Sequence, residues 1–443
     1  MRSKIFLLLL FFTGMVIHAQ ENVIELSINE ALELAKENNY EIKLVQTEVD
    51  KMGGDFNKSL GVFLPQITLS ETFVKTNDPL NSFGFKLKQE IVTQADFNPA
   101  LLNDPPEIEN FTTKLEVTQP LINVDGFFGR AAAADGLSAM ENKLKRTKEY
   151  VVFMIKQNYY QLILAEKSIA VIDKALEAVQ KHYTTAKDFY DEGFINKSDL
   201  LMVEVMLNDV QRQKLDAVNN YKTANGNLKF LLGIEEEGII KPTDNLSKVS
   251  VGEVGYSLGN VNKRRSDMLA MKYRISSMEK MSTMNKLKFL PRLNAFGSFE
   301  YNDSDLFGTN ADSWMIGLNL QWNIFNGFGN IAEIQKANAD LDNARLEYNK
   351  AADKNKVEIE SAMRQLKTME QTVELASKAK EQSKEGLKII RDRYEQGLER
   401  TADLLTAEAK NSESALKYLG AVYGYNLTVF HLELLLEENL ATN

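Results

Sequence analysis

The chain has no cysteine among its 443 residues. That excludes disulfides, thiolate metal sites and a lipid-modified N-terminal cysteine. Histidine is nearly as scarce. His18 lies in the first twenty residues, and His182 and His431 are far apart, so no histidine-based catalytic or metal cluster is expected within one chain. Proline is sparse and clustered, at 65, 79, 99, 105, 106, 120, 242 and 291, which leaves 121–241 and 292–443 free of helix breakers. A net charge of −10 argues against nucleic acid as a partner. Beyond the N-terminus, no stretch is long and apolar enough to cross a bilayer as a helix.

Residues 1–19 read as an export signal. Arg2 and Lys4 give a basic start, Ile5 to Ile17 is a largely apolar core, and Ala19 precedes polar Gln20 and Glu21. The core falls short of the ~20 residues of a spanning helix, a short anchor helix being the alternative. Export without disulfides points to a bacterial envelope protein.

The proline-free runs are helical in pattern. Phe127 to Gly233 reads as helix up to a break at 191–194, and again from Ser198. At about 1.5 Å per residue the first arm alone would reach roughly 100 Å. Val152, Ile155, Tyr159, Leu162, Ile169, Ile172, Leu176 and Val179 step mostly by three and four, as do Ile359, Met363, Leu366, Met369, Val373 and Ala376. That spacing is the coiled-coil signature, so each long arm needs other long helices to cover its stripe.

The two halves are copies. Phe63-Leu64-Pro65-Gln66-Ile67 matches Phe289-Leu290-Pro291-Arg292-Leu293 at an offset of 226. Tyr190 and Gly193, followed by Asp199 and Leu200, match Tyr394, Gly397, Asp403 and Leu404 at an offset of 204. The difference of 22 places an insertion in the first half, in the Asn-, Asp- and Pro-rich stretch 77–110. The organisation expected is a first helix–strand–strand–helix repeat over 20–233, a linker at 234–261, a second repeat over 262–438 and a tail at 439–443. In the first repeat, strands near 66–75 and 111–122 flank a surface loop at 77–110, and a long helix at 127–192 ends in a tip at 191–198. In the second, strands near 292–302 and 312–325 lead to a long helix at 326–396 and a tip at 395–402.

The strands alternate. Leu293, Ala295, Gly297, Phe299 and Tyr301 interleave with polar residues, as do Trp314, Ile316, Leu318, Leu320, Trp322 and Ile324. About ten residues with one apolar face and aromatics near the ends is the pattern of a transmembrane β-barrel. The competing reading is a half-buried sheet in a periplasmic protein. Four strands cannot close a barrel, since membrane barrels start at about eight, so several chains would have to share one. The short helices at 28–62 and 198–233 total 71 residues against 66 for the long arm at 127–192, so two short helices stacked end to end can flank one long helix. A ring of such pairs makes a tube.

Taken together, the duplicated plan, the Phe-Leu-Pro entries to the strands and the Tyr-x-x-Gly…Asp-x-Leu tips resemble the TolC family of outer-membrane efflux proteins over the whole mature length. The resemblance implies a mainly α fold with a transmembrane β part: a homotrimer whose 12-stranded β-barrel, four strands per chain, continues into an α-barrel of coiled-coil helices. It implies a passive exit duct in the outer membrane of a Gram-negative bacterium, its helical part periplasmic. Its partners would be a periplasmic adaptor (membrane fusion) protein, an inner-membrane pump and outer-membrane lipid, with efflux or type I secretion as the task. Family members often close the periplasmic entrance with the tip tyrosine, an arginine two residues after the glycine, and two aspartates. Here Tyr394, Gly397 and Asp403 match, Glu399 stands at the arginine position with Arg400 beside it, and Thr406 stands at the second aspartate position. The gate candidates are therefore Asp403, Tyr394 and Arg400. The adaptor-binding candidates are the two tips, with Tyr190, Gly193, Asp199, Leu200, Tyr394, Gly397, Asp403 and Leu404. Three copies of Asp403 around a narrow axis would repel one another and attract cations. Equally, Asp199 and Asp403 can simply cap the returning helices.

Other features read as structural. Met268, Met271, Met278, Met281 and Met284 form a packing stripe rather than a soft-metal path. Gly126-Phe127-Phe128-Gly129 and Gly327-Phe328-Gly329 lack the Lys-Ser/Thr of a phosphate loop and read as strand-to-helix turns. No cofactor, metal site or catalytic constellation is expected. The alternative to a duct is an exported periplasmic coiled-coil protein, whether adaptor or chaperone.

Overall fold

The computed structural model of the chain describes residues 23–235, 237–252 and 258–440. The expected export signal and part of the linker lie outside them. The chain divides into two compact units, one built from residues up to 42, 148–254 and 359 onward, the other from 43–147 and 255–358.

The first unit is helical. It holds β1 (Val23–Leu26), α1 (Ile28–Asn38), α6 (Lys197–Leu232), β4 (Ile239–Pro242), α10 (Thr401–Leu436) and the later parts of α5 (Val124–Asp191) and α9 (Gly329–Glu395). Ser27 starts α1 with a capping box: its backbone N–H donates to Glu30 Oε2 at 2.8 Å. The helix stops at Asn39, whose side chain accepts from the N–H groups of Glu41 and Ile42, opening α2 (Tyr40–Lys58). The same amide donates to Leu231 O at 2.8 Å, at the end of α6. One buried asparagine therefore serves two helix ends, which is why 28–62 is broken. Gly233 closes α6 in the left-handed region (φ 64°), with Ile234 N–H bonded back to Lys229 O.

β1 and β4 pair in parallel, Leu26 opposite Pro242. The buried Asn225 amide completes the edge of β4 by bonding both Ile240 N–H and Ile240 O, at 3.1 and 2.7 Å. Tyr159, fully buried on α5, donates its hydroxyl towards Leu26 O and Asp244 Oδ2. Burial pushes this phenol well above its ordinary range. Residues 245–252 lie against α10, where the Asn426 amide bonds Val249 N–H and Ser247 O. Val422, Tyr425, Val429 and Phe430 pack there with Phe153, Tyr160 and Val249.

The second unit carries a four-stranded antiparallel sheet in the order β2 (Gln66–Thr76), β3 (Ile108–Ile122), β5 (Arg292–Asp303), β6 (Ala311–Gln321). Pro120 sits where the β3–β5 register shifts, a position at which a strand tolerates its missing N–H. The stretch expected as a loop at 77–110 instead carries α3 (Pro79–Lys88) and α4 (Pro99–Asn103). Pro79 and Pro99 occupy first helical turns, where the N–H they lack would have no partner anyway. Helices α7 (Leu258–Arg264) and α8 (Ser266–Leu287), separated at Arg265, precede β5. Recurrent spacings run through both units. α6 and α10 begin 204 residues apart and end 204 apart, and β2 and β5 begin 226 apart.

Candidate functional site

The two helix turns of the first unit have one geometry. After α5, Gly193 takes φ 78°, its N–H bonds Tyr190 O, and Phe194 N–H bonds Phe189 O. After α9, Gly397 takes φ 72°, its N–H bonds Tyr394 O, and Leu398 N–H bonds Arg393 O. Glycine is required because a side chain is strained at that φ, and the turn satisfies carbonyls that the helix end leaves open. Beyond each turn a large apolar side chain stands out into solvent, Phe194 at 76% and Leu398 at 62% exposed. Inward, Ala186, Val203 and Leu405 pack with Ile195 and Leu200, joining α5, α6 and α10, while Leu404 is fully buried.

The aspartates behave differently at the two turns. Asp199 accepts a long bond from Asn196 N–H, 3.4 Å, at the start of α6. Asp403 is instead gripped by the neighbouring Arg400, Nε to Oδ2 at 2.9 Å and a guanidinium N–H to Oδ1 at 3.4 Å. This pairing raises Arg400's already high pKa, through the hydrogen bond first and the carboxylate's charge second. Tyr394 does not join them; its hydroxyl lies 3.4 Å from Thr401 Oγ1. Glu399, standing where family members often carry arginine, accepts from Arg393 Nε at 2.8 Å. Of the three gate candidates, two form one local pair and the third faces the start of α10.

A third cluster escaped the sequence reading. Glu408, on α10, is buried and accepts from Arg391 of α9 at 2.7 Å; its carboxylate also lies 3.1 Å from His182 Nε2 of α5. Burial pushes the Glu408 carboxyl up, but the His182 and Arg391 contacts outweigh it and hold it below the usual carboxylate range. The sequence signal was there: Thr401, Leu404, Leu405 and Glu408 share one helical stripe, and a charge in an apolar stripe calls for buried partners. Which partners, it does not say.

The sheet of the second unit is the other candidate surface. Its register aligns the alternation of all four strands. Ile67 pairs with Val117, then Gly297 and Ile316, and Leu69 pairs with Leu115, then Phe299 and Trp314. The same face carries Phe73 beside Phe111, Ala295 beside Leu318, and Leu293 beside Leu320. The opposite face carries Thr68, Glu116 and Ser298 in one row and Thr72, Thr112 and Asn302 in another. The apolar side chains lie open rather than under a cover: Trp314, Ile316, Leu318 and Leu320 are each at least two-thirds exposed or close to it (66–75%). Within the described chain β2 and β6 are edges. No helix among the described residues is long and apolar enough to cross a membrane.

No functionally curated protein matches the sequence. The fold is similar to the outer membrane channel CmeC of Campylobacter jejuni at 18% identity and TM-score 0.81, over 94% of this chain and 86% of that one. It is similar to the outer membrane protein VceC of Vibrio cholerae at 16% identity and TM-score 0.75, over 93% and 96% of the two chains. The open-state MtrE outer membrane channel of Neisseria gonorrhoeae aligns at 15% identity and TM-score 0.77, over 94% and 89%. At these identities the likeness concerns the fold. The model of one family, described as outer membrane efflux protein, matches residues 31–234 and 258–436. With most of its length covered by that match, the chain belongs to the outer membrane efflux protein family.

Proposed function

We propose that this protein is the outer-membrane exit duct of a tripartite efflux or type I secretion system. It would work as a homotrimer, passively passing substrates from periplasm to exterior while an inner-membrane pump supplies the energy. One observation carries the reading: a sheet with an exposed apolar face, a polar opposite face and two open edges. In lipid every backbone N–H and C=O must be paired, and each orphan costs several kcal/mol, so edges cannot stay open there. Pairing β6 of one chain with β2 of the next removes all edges on ring closure. Three chains give 12 strands, above the minimum of about eight. The recurrent 204- and 226-residue spacings support an internally duplicated protomer in which α5, α6, α9 and α10 would supply the tube.

In this reading the turns at Gly193 and Gly397 form the periplasmic mouth. Phe194 and Leu398, with Tyr190, Asp199, Tyr394 and Asp403 beside them, are the surface offered to an adaptor; Leu200 and Leu404 are not part of it, because they pack inward and hold the turns from beneath. The gate element would be the Arg400–Asp403 pair, each carboxylate carrying its own cation rather than standing bare on the axis. Fractionation tests the whole. The protein is expected in the outer membrane, running as a heat-modifiable trimer. Recovery of a soluble periplasmic monomer would overturn the proposal in favour of a coiled-coil adaptor or chaperone.

A further inference from the structure

Residues 77–107 leave β2 and return to β3 at the end of the sheet away from the long helices, and they are folded rather than loose. Asp78 caps α3 by accepting from Asn81 N–H, and Ser82 is fully buried against the end of β2. Lys86 pairs with Asp96 at 2.7 Å, Thr93 bonds the same carboxylate, and Phe83 meets Phe97 edge-on at 5.6 Å. These braces join the two sides of the excursion into one piece.

That piece lies on one particular face. Lys88 Nζ reaches Glu300 Oε1 at 2.7 Å. Gln89 Nε2 bonds Asn110 Oδ1 and Glu109 O, both at 2.8 Å; Asn110 in turn bonds Asn302, and Thr112 bonds Asn302. Asn110, Thr112, Glu300 and Asn302 all belong to the polar face, and Asn110 and Asn302 are 0% and 1% exposed beneath the excursion. Had the segment projected outward or folded over the apolar face, these amides would be wet. We propose that 77–107 is an inward lid: three copies narrow the extracellular mouth of the duct, and the Lys88–Glu300 pair is the latch. This rests on the reading of the polar face as the lumen.

The energetics fit a lid that opens. Its internal brace at Lys86–Asp96 is mostly buried, with side chains 21% and 13% exposed, whereas the Lys88 end of the latch is half exposed. An ion pair with one half-exposed end contributes little and is screened by salt, so the latch parts first, and opening is completed when water replaces the Gln89 bonds to Asn110 and Glu109 O. Leu80 on α3 is 82% exposed, so the excursion also presents an apolar side chain to solvent.

The absence of cysteine makes the test clean. Ser298, on the polar face one pair deeper than Glu300, is replaced by cysteine in otherwise wild-type, Lys88→Glu and Lys88→Glu/Glu300→Lys backgrounds. Intact cells are treated with a small charged thiol reagent or with a maleimide on a bulky polyethylene glycol, after the heat-modifiable trimer has confirmed assembly of each variant. The small reagent should label all three. The bulky one should label the wild-type background slowly, Lys88→Glu about fivefold faster, and the charge swap slowly again. Equal labelling by the bulky reagent in all three backgrounds would overturn the lid while leaving the duct intact. If even the small reagent misses Ser298→Cys while labelling Ile316→Cys from water, the lumen reading itself falls, and the lid with it.

Discussion

Removing the Glu408 carboxylate should loosen the ends of α9 and α10 without unfolding the chain. Glu408→Ala leaves His182 and Arg391 facing a cavity where their shared acceptor stood. Breaking a fully buried pair by deleting one partner costs 3–5 kcal/mol, roughly, because the remaining charge is stranded. Here the stranded cation has an escape: the Glu408 side chain is 4% exposed, but that of Arg391 is 42% exposed and can turn to water. The expected loss is therefore about 2 kcal/mol, and about 1 kcal/mol for Glu408→Gln, which keeps an acceptor. Hydrogen exchange reads this locally: ~2 kcal/mol is roughly a thirtyfold rise in opening. The rise should be confined to amides near 182, 391 and 408. The double variant Arg391→Met/Glu408→Leu should recover much of the protection, since paired removal strands no charge and leaves only the His182 ring nitrogen without its carboxylate. Acid should reproduce the effect. The folded carboxyl lies below its usual value of 4.5, so its contribution is complete above 4.5 and is lost as pH falls through the lower folded value. Unchanged exchange in Glu408→Ala, or loosening equal in the double variant, would refute the claim that this ion network fastens α5 and α9 to α10.

Three further outcomes are expected. Gly233→Ala should destabilise more than Gly397→Ala by thermal melting: both sit at positive φ, costing about 1–2 kcal/mol for any side chain, but only at Gly233 would a Cβ press on Asn38, 3.0 Å from its Cβ and O. In planar bilayers Arg400→Ala should increase channel block by multivalent cations, because it unmasks Asp403, and Asp403→Ala should abolish that block; no change in either variant would leave Asp403 a local helix partner only. Ile316→Lys, on the apolar sheet face, should cut trimer yield in the membrane, at about 2–4 kcal/mol for a lysine near mid-bilayer, whereas Ser298→Lys on the polar face should be nearly silent.

What was legible in the sequence was whatever short-range chemistry dictates. Period-2 alternation in Leu293–Tyr301 and Trp314–Leu320 needs only neighbours two residues apart, and the structure shows how register joins those alternations into a single apolar face. The glycine turns at 193 and 397 were readable because a left-handed residue is a local demand. The break at Asn39 was only half legible: its bonds from Glu41 and Ile42 N–H are local, but its amide bond to Leu231 O reaches nearly two hundred residues on. The β1–β4 pair was not legible, its strands of four residues each being too short to show a period. The Asn- and Pro-rich stretch at 77–110 read as loop because prolines that begin helices look, one at a time, like prolines that end them.

The sequence by itself determined the building parts: long proline-free helices with coiled-coil stripes, amphipathic strands and glycine turns. Each follows from interactions within a few residues, so each is written locally. Only the tertiary structure decided the pairings: that Glu408 meets His182 and Arg391, that Asn39 meets Leu231, and that the excursion after β2 lies on the polar face. Those depend on which surfaces meet, and composition or spacing along one chain cannot carry that information.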